Sequence, residues 1–181
     1  LEVALHFVKA HMPCPPIPQP DSDDAIDELM INDALATTGG GAWPDAETLD
    51  LSFRRLAKIE NLVCFDRLTS LSLSNNRIAQ IEGVSHIATL TSLDLSFNKI
   101  EVVPEELKQL ANLRELSLHS NGLSDLSTID TLQKLKVLNV GAYYDMFDFL
   151  LFVHSCPLPV LALSHAPSFE FGHIFVWIRL Q

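Results

Sequence analysis

The side chains best suited to chemistry here are seven histidines, three cysteines and twenty-three acids. Their spacing decides whether they can act together. A zinc-type site needs ligands roughly two to four residues apart, answered by a second pair elsewhere in the chain. His6, His11, His86, His119, His154, His165 and His173 stand in no such relation to the cysteines or acids. His154 and Cys156 could share an ion only with further ligands brought from elsewhere. A phosphate cradle needs glycines between a strand and a helix, with a lysine behind them. Gly39-Gly40-Gly41 runs into Ala42-Trp43-Pro44 instead, and no serine sits in a GxSxG elbow. No catalytic, metal or cofactor-binding residue is therefore expected, and the chain is not expected to be an enzyme.

Recognition of another protein is the chemistry the spacing does support. Asp50, Ser52, Ser72, Ser74, Asp94, Ser96, Glu115, Ser117, His119 and Asn139 fall on a register that repeats every 22 or 23 residues. Small serines in a row leave room for a partner's backbone, and Asp94 and Glu115 would face basic residues of that partner. Phe53 and Phe97 occupy one position two repeats apart. They could be apolar anchors for a partner, although packing into the turns that leave the strands is the preferred expectation. A second ladder, Arg55, Arg77 and Lys99, follows at 22-residue steps. A solvated edge is preferred for it, with a docking strip for an acidic partner as the alternative.

Side chains on such a register need a repeated scaffold, and the sequence writes one. LTSLSLSNNRI runs from Leu68 to Ile78, LTSLDLSFNKI from Leu90 to Ile100, and LRELSLHSNGL from Leu113 to Leu123. This is LxxLxLxxNx(I/L), the signature of a leucine-rich repeat. The first leucine of the LxL pair falls at Leu49, Leu71, Leu93, Leu116 and Leu138. Because side chains alternate across a strand, both leucines of each pair share one face. The fold class expected is an α/β horseshoe solenoid with short parallel strands near 49–52, 70–74, 92–96, 115–118 and 137–140 lining the concave face. Asn76, Asn98 and Asn121 should end the strands and hold free backbone groups within and between coils. Ile78, Ile100 and Leu123 re-enter the core, followed by Ile81, Val103 and Leu126, then Val84, Leu107 and Ile129, and last Ile87, Leu110 and Leu132. The extra residue of the third repeat lies near Pro104-Glu105-Glu106, which suits the first turn of a short convex helix.

Five segments follow from this register. Residues 1–21 read as a disordered Pro-rich leader, with a signal peptide disfavoured by His6 and the lack of a cleavage site. Residues 22–45 read as a capping helix and linker, with Ser22 as N-cap and Ile26, Leu29 and Met30 on one face. Trp43-Pro44 should help seal that end, since the open core of a first coil needs covering. The array occupies 46–141. Its first repeat keeps Leu49, Leu51, Leu56, Ile59, Leu62 and Phe65 but carries Arg54 in place of Asn, and Arg54 is expected to be exposed. The fifth repeat begins with Leu135, Leu138 and Val140, then places Tyr143 and Asp145 where Asn and an apolar residue belong. A cap helix over 146–155, begun by Asp145, is the preferred ending for residues 142–155. A frame slipped by one residue, burying Met146, Phe149 and Phe152, is the alternative. Residues 156–181 form an irregular apolar tail, and three prolines argue against a membrane span.

The formal charge of −11 is concentrated in the leader and capping segment, where residues 1–47 hold nine acids and one lysine. Residues 48–141 balance eleven acids against ten bases, which leaves no nucleic-acid footprint. Cys14, Cys64 and Cys156 are odd in number and far apart, with no paired-cysteine caps and no N-x-S/T sequon. This usage points to a reducing compartment, cytoplasm or nucleus, with Cys64 a buried or half-buried thiol. A chain that opens on Leu1 reads as a fragment.

The 22-residue period, IENL at 59–62, IEGV at 81–84 and LDLSFNKI resemble the SDS22-type class of intracellular repeats. Within that class the opening LSFRRLAKIENL, the passage from IEGV to LDLSFNKI, and Ile26-Asp27-Glu28-Leu29 resemble dynein regulatory complex subunit three of cilia and flagella. The resemblance covers roughly residues 24–141. It implies a non-catalytic scaffold in the nexin–dynein link of the axoneme, a cytoskeletal location and axonemal protein partners; with the charge balance and motifs above, no cofactor, nucleic-acid or membrane partner is expected. The family continues into a coiled coil, whereas no heptads follow Gly141 here. A phosphatase-regulatory repeat protein of the same class and a nuclear repeat adaptor are the other readings.

Overall fold

The leucine pairs stack as their spacing requires. In the computed structural model, which describes residues 25–38, 42–124, 128–129, 132, 134–140, 160–161 and 177–180, the first leucine of each pair is the central residue of a three-residue strand. These are β1 Thr48–Asp50, β2 Ser70–Ser72, β3 Ser92–Asp94, β4 Glu115–Ser117 and β5 Val137–Asn139. They pair in parallel in chain order, with Leu49, Leu71, Leu93, Leu116 and Leu138 in register across the sheet. All five are buried, as are Leu51, Leu73, Leu95, Leu118 and Val140 behind them. The convex returns add Ile59, Ile81 and Val103, then Leu62, Val84, Leu107 and Ile129, to one continuous core. Leu126 lies outside the described residues. The convex segment of the third repeat is a 3₁₀ helix, Glu105–Gln109, with Pro104 at its N-cap and Leu107 buried. Lys108 lies 2.9 Å from Glu105 and holds its carboxyl below the usual range.

The asparagines connect coils rather than closing single turns. Asn98 donates to the Leu73 carbonyl of the preceding coil at 2.9 Å and to Leu95 of its own at 3.0 Å, and it accepts the Ile78 N–H at 3.0 Å. Asn121 repeats this on Leu95, Leu118 and Ile100. Asn76 does so on Leu51 and Leu73 while accepting from both Arg54 and Leu56 N–H. Each amide thus reaches back one coil, so the first coil has nothing to reach. Arg54 is not exposed there as expected. Its side chain is 33% accessible and pairs with Asp33 of the capping helix. Asn98→Ala should cost about 1–3 kcal/mol, because it leaves buried backbone groups unpaired. Arg54→Ala should cost at most about 1 kcal/mol, as a partly solvated ion pair. Chemical denaturation of both variants tests the contrast, and equal losses would refute it.

The N-terminal cap is the helix α1, Glu28–Thr37. It starts six residues after the expected N-cap Ser22, which lies outside the described residues. Asp27 is the N-cap, its carboxylate accepting the Met30 N–H at 2.6 Å, the usual role of a short acidic side chain there. That start turns Ile31, Ala34 and Leu35 to the core, at the i, i+3, i+4 spacing of one face. Leu29 is 77% exposed, contrary to the face expected for it, while Met30 packs half-buried against the core. Trp43, in a 3₁₀ turn over Trp43–Asp45, stacks on Phe65 at 6.2 Å and donates its indole N–H to Asn32 at 2.8 Å. The tryptophan therefore pins the helix to the first coil.

Two further corrections concern the ends. The tail is not irregular throughout. Strand β7, Trp177–Leu180, runs antiparallel to β5, and β6, Val160–Leu161, runs antiparallel to β7, giving the sheet order β1-β2-β3-β4-β5-β7-β6. A last parallel strand leaves unpaired N–H and C=O groups on its free side, and these recruit any extended apolar segment within reach. Cys64 is half-buried but disulfide-bonded rather than a free thiol, with its partner outside the described residues. Distance in sequence is no bar to pairing once a chain folds back, so the cysteine count loses its weight as a sign of a reducing compartment. The leader and the cap helix at 146–155 lie outside the described residues. No described helix is long and apolar enough to cross a membrane, and the described residues hold no metal-ligand cluster.

Candidate functional site

The residues alternating with the buried leucines separate into two rows. The first row, at strand level, is accessible. Asp50 and Glu115 are exposed, and Ser72, Asp94 and Ser117 are half-buried, as is Ser52 one step on. The second row is not the open strip expected of it. Ser74, Ser96 and His119 are all buried, and so is Asn139, which stands in register with Ser117 at strand level. At Ser74, Ser96 and His119 the strands have already curled into the exit turns, where inter-coil hydrogen bonds such as Phe53 N–H to the Ser74 carbonyl, 3.1 Å, and Phe97 N–H to the His119 carbonyl, 2.8 Å, draw the backbones over them.

The exit turn explains the phenylalanines. Phe53, Asn75, Phe97 and Ser120, at one position of successive coils, all have positive φ, between 53° and 60°. Asn accepts this left-handed conformation readily, whereas a bulky residue there carries strain. Phe53 is 75% exposed and Phe97 49%, so neither is packed away in its turn as preferred. Phe97 leans edge-to-face on His119, ring centroids 5.0 Å apart at 86°. The asparagine at position 75 was the one sequence clue to this conformation.

Hydrogen bonds order the serines. The Ser52 hydroxyl lies 2.8 Å from that of Ser72 and accepts from Ser74 at 3.1 Å. The Asp50 carboxylate holds the Ser52 N–H at 2.9 Å, and Asp94 holds the Ser96 N–H likewise at 2.9 Å. Ser92 donates to Glu115 at 3.3 Å. Between β3 and β5 the face hollows into a groove of about 400 Å³ lined by Asp94, Phe97, Glu115, Ser117, His119 and Asn139 among others. A second hollow of about 500 Å³, on the convex returns, is lined by Glu82, Glu101 and Glu106 around the exposed Val102. Arg55, Arg77 and Lys99 are exposed and enter no ion pair among the described residues, as a solvated edge would.

The family model described as "Leucine rich repeat" matches residues 66–123 and 88–142. The fold is a leucine-rich repeat solenoid. Among solved structures the array is similar to the internalin InlF of Listeria monocytogenes, with 26% identity and a TM-score of 0.52 over 61% of this chain and 34% of that one. It is also similar to internalin C2 of the same organism, at 26% identity and a TM-score of 0.50 over 63% of this chain and 49% of that one. A chain of the SNF/U2A' complex of Drosophila melanogaster gives 27% identity and a TM-score of 0.48 over 68% and 67%. The repeat protein spans less than half the length of either internalin. Among curated proteins none matches it significantly.

Proposed function

We propose that this leucine-rich repeat protein is a non-catalytic scaffold that docks a protein partner on its concave face. The observation that supports this is the character of the strip. Half-buried hydroxyls of Ser52, Ser72 and Ser117 make a low floor, Phe53 and Phe97 stand exposed beside it, and its ionised groups Asp50, Asp94 and Glu115 are all acidic. A partner with basic side chains fits such a surface, because complementary charge guides approach and sets register. An axonemal partner in the dynein regulatory complex is favoured by the resemblance of residues 24–141 to its third subunit. The 22-residue period favours phosphatase regulation as the second reading. A disulfide at Cys64 is unusual in a reducing compartment, so the cytoplasmic and ciliary placement rests on the resemblance alone.

The test reverses the charge without touching the core. Full-length D94R/E115R protein, offered to axonemal extract, should fold as the parent does and capture nexin–dynein link subunits at least about tenfold less, since like charges facing each other cost several kcal/mol. Capture of phosphatase catalytic subunit by the parent would select the second reading. Undiminished capture by the double variant would move the interface elsewhere, first to the Arg55–Arg77–Lys99 edge.

A further inference from the structure

We propose that the groove between β3 and β5 is a socket for a single arginine side chain of the docked protein. This deepens the concave-docking reading and rests on it. Among its described residues the groove's lining includes two carboxylates, Asp94 and Glu115, and neither lysine nor arginine. Acidity alone would say little, but Asn139 adds an independent observation. The residue is 9% exposed and lines the groove, and its amide oxygen has no hydrogen-bond partner among the described residues. Buried acceptors are almost always satisfied, and one left unmade is costly. It marks where a donor belongs.

The surrounding groups specify what kind of donor. Asp94 uses Oδ1 on the Ser96 N–H and Glu115 uses Oε2 on the Ser92 hydroxyl, so each carboxylate keeps its other oxygen for an incoming N–H. Phe97 stands at the mouth with half its surface exposed, steadied by its edge-to-face contact with His119. A guanidinium satisfies all of these at once. It is planar, carries five N–H donors in a fixed fork, pairs with carboxylates through two parallel bonds, and lies against aromatic rings. Lysine presents three donors at one point and cannot spread across separated acceptors. Phosphate and carboxylate ligands would meet two like charges.

The test uses the ¹⁵N-labelled full chain at low ionic strength. It is titrated with the acetylated, amidated pentapeptide Gly-Gly-Arg-Gly-Gly and with versions carrying lysine or citrulline at the centre. Citrulline keeps the planar shape and loses the charge. The arginine peptide should saturate, shift the Asn139 side-chain amide and the β4 and β5 backbone signals, and bind at least about fivefold tighter than the lysine peptide and tenfold tighter than the citrulline peptide. Asn139→Leu and Asp94→Asn should each weaken the arginine peptide by about fivefold or more while keeping the dispersed spectrum. Equal binding of the three peptides, or shifts confined to other coils, would overturn the socket. The docking reading would still stand if D94R/E115R lost axonemal capture. Loss of that reading is separately visible as undiminished capture.

Discussion

Leu95→Ala is expected to destabilise the array by about 2–5 kcal/mol, as a large-to-small change at a site that cannot collapse. Leu95 is fully buried in the third coil, behind strand β3. Its carbonyl also accepts from Asn98 and Asn121, so it sits where two coils are tied. A solenoid coil contacts only its neighbours, and the loss therefore spreads outward from the middle rather than staying local. Urea unfolding followed by far-ultraviolet circular dichroism should show an earlier midpoint. Native-state hydrogen exchange should quicken in the second and fourth coils as well as the third. A variant with the parent's midpoint would show that Leu95 does not carry the core.

Gly83→Ala should do comparable damage with one added methyl group. Gly83 has φ +67°, and a Cβ there would lie 2.3 Å from the Ile59 carbonyl oxygen of the coil before it. Left-handed strain contributes on the order of 1–3 kcal/mol and overpacking against backbone a similar amount, so a total of about 2–6 kcal/mol is expected. Asn61 is the internal control. It holds the same conformation, φ 63°, one coil earlier, where no coil lies beneath. A side chain fits there, and the Asn61 amide donates to the Ile26 carbonyl of the cap at 2.9 Å. Asn61→Ala should cost only that hydrogen bond, about 1 kcal/mol. Thermal unfolding of both variants separates them, and an equal shift would mean that the first two coils are not stacked this closely.

The difference between IENL and IEGV, which as sequence looked like ordinary repeat variation, is thus a record of which coil has a neighbour below. Much else was legible for the same reason. Leu49, Leu71, Leu93, Leu116 and Leu138 keep one period, and a period is visible in a single sequence. What escaped was whatever depends on curvature or on contacts between unlike segments. Alternation assigned Ser74, Ser96 and His119 to the open face by direction. It could not show that the strand has by then turned under its neighbours. Nothing near Phe53 or Phe97 announces a positive φ, because no glycine marks it. The capping of α1 by Asp27 was hidden by a run of acids offering several equivalent caps. The pairing of β7 with β5 depends on a free sheet edge, which no local pattern encodes.

The backward reach of the asparagines has a consequence for how the chain is made. The Ile78 N–H is satisfied by Asn98 and the Ile100 N–H by Asn121, so each coil's turn is completed by a residue some twenty positions later. On a ribosome adding about 5–20 residues per second, every coil would wait about one to four seconds with an open turn before its successor closes it. Coils should therefore lock in order from the N-terminus, each one step behind synthesis. A chain stalled in mid-array would always present one unfinished coil at its growing end, and that coil is the natural target for chaperones.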